Sequence, residues 1–260
     1  MLKLSPCIEM FWPETDFAAR IGKAAGLGFE AYEFWAWWNK DLDAVERATK
    51  DAGLAVSACC VNTASPTGGP PPLLVQEGKE IFVNAVRDCI PVSGRIGCTT
   101  FIATTGNELK GVPRESQHAA CVAALKAAAP VAEDAGITLV LEPLNLLVDH
   151  AGYYLSTSAE GFAIVDEVGS PAVKLLFDIY HQQITEGNVT RNITANIGRI
   201  GHFHVANNPG RYEPASGEID YPFVFDRIRE MGYDRYVGLE FRPSDPADTD
   251  NILRVVRELA

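Results

Sequence analysis

The chain has 260 residues, 47% of them hydrophobic and 22% charged, with a net charge of −12. That balance supplies apolar side chains for one full core, and the acidic surplus, with no Lys/Arg stripe to offset it, argues against nucleic acid as a partner. No apolar run approaches the ~18 residues a membrane span requires, and MLKLSPCIEMFWPETDF meets acidic side chains too early for a signal peptide, so a cytoplasmic protein is expected.

Strand-like and helix-like segments alternate along the whole chain. LSPCIEM reads as a first strand, and Asp16 is placed to cap the helix FAARIGKAAG, which Gly26 ends. AYEFW is a second strand, DLDAVERATKDAG an amphipathic helix ending at Gly53, and LAVSACCV a third strand. The loop ASPTGGPPP at 64–72 is too rich in Pro and Gly for regular structure; a lid and a passive connection are both open for it. A helix is expected from about Leu74 to Ile96, interrupted near Pro91, then a fourth strand TTFIAT, then a long Ala-rich helix from Arg114 to Ala135. ITLVLE is a fifth strand, followed by STSAEGFAIVDEVG, a helix capped by Ser156 or Thr157. AVKLLFD, RIGHFHV and YVGLEF are the sixth, seventh and eighth strands. The helices after them lie around Val189 to Ile197, over YPFVFDRIREMG and over TDNILRVVREL. Eight strands alternating with helices, with nearly continuous apolar strands, predict a parallel sheet covered by helices. In a chain of this length, without a linker, the expectation is a single (β/α)8 TIM barrel over residues 1–260. The cysteines, Cys7, Cys59, Cys60, Cys89, Cys98 and Cys121, form no C-x-x-C pair and are expected to be reduced thiols.

Active-site residues of such barrels come from the C-terminal strand ends. Glu142 ends LVLE, Asp178 ends KLLFD, His204 lies near the end of GHFHV and Glu240 ends VGLE. A lone carboxylate beyond a buried run is costly unless partnered. Any one of these alone reads equally well as a solvated strand end, but four on consecutive strands point to a shared cation. Three carboxylates and one imidazole suit Mn²⁺ or Mg²⁺, with Co²⁺, Fe²⁺ or Zn²⁺ also compatible. His202 falls on the same side as His204, one layer deeper, and is expected in the core. His181 stands just past the sixth strand, and Arg211, in the loop NNPGR, can hold a substrate carboxylate or hydroxyl. Phe11 and Trp12 follow the first strand, while Glu33, Phe34, Trp35, Trp37 and Trp38 cluster at the second. Their rings can pack against sugar C–H faces and exclude water, or simply pack the loops. The absence of a G-x-G-x-x-G or P-loop leaves nucleotide binding unsupported.

The segments LEPLN with DHAGYYL, FDIYHQQITEGN, HFHVANNPGRYEPASGEIDYP and GLEF resemble the hydroxypyruvate isomerase family, within the xylose isomerase-like barrels that also include ketose 3-epimerases. The resemblance is close in the second half of the chain and covers only the strand–helix rhythm of the first. It implies that Glu142, Asp178, His204 and Glu240 are metal ligands, and that Glu142 and Glu240 are also the acid/base pair. It implies further that His181 and Arg211 contact substrate oxygens and that Glu213, in R-x-E-P, supports the site from behind. Several family members carry Gln at the place of His204, where ketose epimerases have His, and EFWAWWNKDLD departs from the usual second loop.

The implied activity is isomerisation of a small hydroxy-carbonyl compound through an enediolate. Ketose 3-epimerisation and elimination beside a ketone on a 3-keto sugar use the same parts. A non-catalytic sugar-binding protein would not need both glutamates. A zinc-dependent DNA repair nuclease would call for more histidine ligands and a basic groove. The partner is then a small molecule, with neither nucleic acid nor membrane, and a homo-oligomer is left open.

Overall fold

The apolar runs fold as parallel strands, most of them buried on both faces, in a computed structural model that describes residues 1–65 and 68–260. The strands are β1 (Lys3–Pro6), β2 (Ala31–Tyr32), β3 (Ala55–Val56), β4 (Cys59–Cys60), β5 (Thr100–Ala103), β6 (Thr138–Leu141), β7 (Val173–Asp178), β8 (Ile200–Val205) and β9 (Tyr236–Leu239). Seven pair in the order β1-β9-β8-β7-β6-β5-β4, while β2 pairs with β3. The ring closes through Cys7 and Glu33, where Glu33 N–H donates to Pro6 O at 3.0 Å and Ile8 N–H to Glu33 O at 2.9 Å. The expected third strand is one run in two pieces: β3 faces β2, and after Ser57 and Ala58 the chain continues as β4 facing β5. The fold is thus the expected (β/α)8 barrel.

The helices are α1 (Phe17–Gly26), α2 (Leu42–Ala52), α3 (Lys79–Ile96), α4 (Arg114–Asp134), α5 (Ser158–Val168), α6 (Ile179–Thr185), α7 (Val189–Asn196), α8 (Tyr221–Glu230) and α9 (Thr249–Arg257). Asp16 occupies the N-cap position of α1 without a side-chain capping bond, whereas Thr157 caps α5 by accepting from Glu160 N–H. Two differences from expectation concern proline. α3 begins at Lys79 because Pro72–Leu74 and Gln76–Gly78 form separate 3-10 turns, and it then runs through Pro91 without a break. A proline ring inside a helix costs one hydrogen bond and some crowding, and the buried face of α3, including Phe82, Val86, Cys89 and Val92, outweighs that cost. In the 64–72 loop, Pro66 and Thr67 lie outside the described residues.

Inward and outward side chains alternate along each strand. The large core lies between strands and helices and includes Phe101, Leu139, Leu141, Phe177, Phe203 and Leu239. A separate small cluster of Ala58, Ile102, Val140 and Leu176, with Cys60 against it, fills part of the barrel interior. Two residues beyond Val140 and Leu176, on the same side, stand Glu142 and Asp178. No helix among the described residues is long and apolar enough to cross a membrane.

Candidate active site

Four strand ends deliver Glu142, Asp178, His204 and Glu240 to one point. They are 6%, 1%, 0% and 6% exposed, and one ligand atom from each lies within 4.8 Å of the others. His204 Nδ1 is 3.3 Å from Glu142 Oε1, 3.7 Å from Glu240 Oε2 and 4.0 Å from Asp178 Oδ2. That nitrogen is buried and has no hydrogen-bond partner. Bonds of ~2.1 Å to one small ion place adjacent ligand atoms about 3 Å apart, so the spacing and donor set fit a divalent cation. Three buried carboxylates outnumber the cationic groups beside them, Arg211 and His204, so a cation would offset the remaining negative charge.

The electrostatics are those of a crowded acidic cluster. Burial, with Glu240 alongside, lifts Asp178 to about 6 against the pull of His204 and Arg211. Burial opposes ionisation of Glu240 too, yet His204, Arg211 and His181 hold it below the ordinary carboxylate range. His204 is driven well above its usual value, the surrounding Glu33, Glu240 and Glu142 outweighing its burial.

The two glutamates are not equivalent. Glu240 Oε1 accepts from Trp35 Nε1 at 2.7 Å, and Oε2 pairs with Arg211 Nη2. Glu142 is fixed through its main chain, whose carbonyl accepts from Tyr153 OH at 3.2 Å. Its side chain meets His204.

His181 follows β7 in α6, a short helix absent from the expected elements. Asp178 ends the strand and caps this helix, accepting from His181 N–H at 2.9 Å. Asn145 donates its backbone N–H (3.3 Å) and its amide (2.7 Å) to His181 Nδ1. A backbone N–H can only donate, so the ring proton sits on Nε2, which is buried and unpartnered. Burial and Arg211 push His181 down to about 4, which keeps it neutral. Arg211, at φ 56°, leans on Glu240 and lies 3.8 Å from Asp149, with Nε buried and unpartnered. Asp149 also accepts from Tyr180 OH at 2.8 Å. Glu213 accepts from Ser244 N–H (2.9 Å) and Oγ (2.5 Å), which ties the Arg211 loop to the segment after Glu240.

The tryptophans separate. Trp35 touches Glu240. Trp37 donates to Cys60 O at 2.9 Å. Trp38, 43% exposed, lines a cavity of about 390 Å³ with Cys60, Asn62, Thr63, Thr104 and Thr105. Trp12 stands apart: it is 3% exposed and its Nε1 donates to Asp250 at 2.7 Å, near the start of α9. His202 is in the core, 2% exposed, on Glu33. Asn145, Asp149 and the role of Glu33 were not anticipated from sequence. Glu33 had a signal, since it follows Ala31–Tyr32 as Glu142 follows its own strand. Asp149 had none, because nothing in LLVDH marks it as facing Arg211.

The closed barrel thus carries a buried carboxylate–imidazole cluster at its C-terminal mouth, where barrels of this kind place their active sites. The chain belongs to the xylose isomerase-like TIM barrel family, which it matches over residues 21–259. It is 31% identical over 244 residues to hydroxypyruvate isomerase of Escherichia coli (strain K12), covering 94% of each chain. It is 33% identical over 249 residues to 2-oxo-tetronate isomerase of Cupriavidus necator, again covering 94% of each. The crystal structure of an AP endonuclease of family 2 from Brucella melitensis superposes with a TM-score of 0.89 at 27% identity, covering 96% of both chains. The chain is an enzyme of the isomerase type.

Proposed function

We propose that the chain, acting as one domain over residues 1–260, is a divalent-metal-dependent isomerase of a small hydroxy-carbonyl acid of the hydroxypyruvate or 2-oxo-tetronate type. The supporting observation is the convergence of Glu142, Asp178, His204 and Glu240 with an unpartnered His204 Nδ1. Mn²⁺ or Mg²⁺ suits three carboxylates and one imidazole, and Co²⁺, Fe²⁺ or Zn²⁺ shares enough of that preference to be worth assaying. When bound, the ion supplies positive charge that stabilises the negative charge developing on the substrate oxygens as an enediolate forms.

The remaining chemistry belongs to this chain. His181 offers Nε2–H and Arg211 offers Nε–H, two buried donors for substrate oxygens. Glu142 and Glu240 form the acid/base pair: one removes the C–H proton, and it or the other returns a proton to the neighbouring carbon. Trp35 orients Glu240, Glu213 steadies the Arg211 loop, and Trp37 fixes the chain at Cys60. The cavity of about 390 Å³ beside Trp38 is lined by none of these groups, so it bears only on parts of a substrate that extend away from the reacting carbons. The net charge of −12 and the single imidazole among the four groups weigh against phosphodiester chemistry.

Ketose 3-epimerisation is a second reading. It is favoured by the placement of Glu142 and Glu240 just past the ends of β6 and β9, with β7 and β8 between them. Hydroxypyruvate, tetronates, ketohexoses and 3-keto-glycosides incubated in deuterated buffer with Mn²⁺ separate the outcomes. Label at the carbon next to the one that lost its proton marks an isomerase, and label at the same carbon an epimerase. No metal-dependent exchange into any of them would defeat both.

A further inference from the structure

Beneath the four ligands lies a second group whose role is unassigned so far: Glu33, His202 and His204, with atoms within 4.8 Å of one another and almost no exposure. Glu33 Oε2 is 2.8 Å from His202 Nε2. Glu33 Oε1 is 3.0 Å from His204 Nε2, which meets it off the N–H axis. His204 therefore presents one ring nitrogen to Glu33 and the other, Nδ1, to Glu142, Asp178 and Glu240. Ser57 Oγ donates to Glu33 Oε2 at 3.4 Å and shares a 2.5 Å hydrogen bond with Ser5.

A second observation comes from β9. A Cβ at Gly238 would stand 2.5 Å from Glu33 Oε1 and 2.6 Å from Oε2. Gly238 is absent from the positive-φ positions, so its backbone does not call for glycine. The space it leaves is occupied by the Glu33 carboxylate. Gly238 is also the ladder partner of His204, which puts that carboxylate at the level of the imidazole it contacts.

We propose that Glu33 is a positioning residue that fixes the ring and the coordinating nitrogen of His204, resting on the metal-dependent reading above. A carboxylate only accepts, so its two oxygens can take an N–H from each imidazole. An imidazole whose Nε2–H faces Glu33 keeps its lone pair on Nδ1, the atom aimed at the ligand cluster. His202, donating to the other oxygen, and the Gly238 gap keep the carboxylate from turning away. A glutamine would put an NH₂ donor against one of the two rings. Partners of this kind, behind a metal-bound histidine, are worth 10–100-fold in metal affinity. A second ion held by the trio is the competing assignment, but 2.8 Å is the length of a direct hydrogen bond.

The test titrates Mn²⁺ calorimetrically into chelator-stripped wild type, Glu33→Gln, His204→Gln and the double variant. The expected result is one ion per wild-type chain and a Kd about 10–100-fold weaker in Glu33→Gln, with no further weakening when Glu33→Gln is added to His204→Gln. An unchanged Kd, or an equal loss in both backgrounds, overturns the proposal while leaving the metal reading intact. Two ions in wild type and one in Glu33→Gln overturn it in favour of a metal site at the trio. No binding by wild type sinks the metal reading and this proposal with it. If Glu33→Gln does not fold, Gly238→Ala is expected to weaken binding in the same His204-dependent way. The wild type alone also decides: the ¹⁵N spectrum of the Zn²⁺-loaded protein should show His204 coordinated through Nδ1 and protonated at Nε2, and coordination through Nε2 overturns the assignment.

Discussion

Under β4 to β7 the barrel interior is apolar, with Ala58, Ile102, Val140 and Leu176 in contact and none more than 3% exposed. Under β1, β2, β8 and β9 the interior instead holds Ser5, Ser57, Glu33 and His202, joined by hydrogen bonds, with the Glu33 carboxylate in the space that Gly238 leaves. Glu142 and Asp178 rise from the apolar half, His204 and Glu240 from the polar half. An apolar floor supports a ligand by shape, tolerates volume-conserving change and orients nothing by itself. A polar floor dictates direction, and removing one member strands its partner without a hydrogen bond. On the proposed reading, the group that most needs a direction is the imidazole, since only one of its nitrogens can face an ion, and it stands over the polar half.

The largest expected effect tests both halves through the carboxylates proposed as the acid/base pair. Glu142→Gln and Glu240→Gln should each lower kcat by 10²–10⁴-fold, the range for loss of a general base. The two should differ in stability. Glu240→Gln leaves Trp35 and Arg211 facing an amide, whereas Glu142 has no comparable side-chain donors. Steady-state kinetics and thermal melts of both variants check this, and near-normal turnover in the pair would remove the enediolate mechanism.

The next effect isolates the apolar half. Leu176→Ala removes packing between β7 and its neighbours and should cost about 2–5 kcal/mol of stability, measured by denaturant unfolding. The Mn²⁺ affinity of the folded protein should stay within about threefold of wild type, because no ligand depends on Leu176 for a hydrogen bond. A loss of metal binding as large as that expected of Glu33→Gln would erase the distinction between the halves.

A smaller change tests orientation at Glu240. Trp35→Phe deletes the 2.7 Å bond to Oε1 while keeping an aromatic ring. A hydrogen bond to a charged group is worth about 1.5–3 kcal/mol, so kcat should fall by about 10–100-fold with KM little changed. Trp37→Phe, which loses a bond to a main-chain carbonyl outside the cluster, is the control and should leave kcat near wild type.

The convergence of the four strand-end groups and the barrel were readable in the sequence because both rest on periodicity. Apolar runs announce strands, and a charged residue at the end of a buried run demands a partner. Glu33 obeyed the same rule but was masked by the tryptophans that follow it, and its run, Ala31–Tyr32, is only two residues long. Long-range pairs left no local trace: Asp149 with Arg211, Asn145 with His181 and Trp12 with Asp250 each join segments far apart in the chain. The continuity of α3 through Pro91 was equally hidden, since proline argues locally for a break and only the buried face of the helix overrides it. The helix after Asp178 was missed because its seven residues are too few to show a period.

The smallest effect concerns the rim above the β4 side, where Trp38 lines the cavity and stacks edge-on against Trp37, ring centroids 5.7 Å apart. Trp38 makes no hydrogen bond to the ligand cluster, so it can influence a reaction only through contact with parts of the substrate away from the reacting carbons. A three-carbon acid held by the ion, His181 and Arg211 has no such part, whereas a ketohexose carries further carbons toward the cavity. Trp38→Ala should therefore raise KM roughly tenfold for the largest accepted substrate, the scale of one lost apolar contact, and leave hydroxypyruvate within about twofold. The companion Trp12→Phe should alter thermal stability alone, because the Trp12 indole is spent on Asp250. KM values for hydroxypyruvate, a 2-oxo-tetronate and a ketohexose in both variants supply the check. If Trp38→Ala affects all three substrates equally, the tryptophan-rich loop does not read size, and the polar side chains Asn62, Thr63, Thr104 and Thr105 are left to do so.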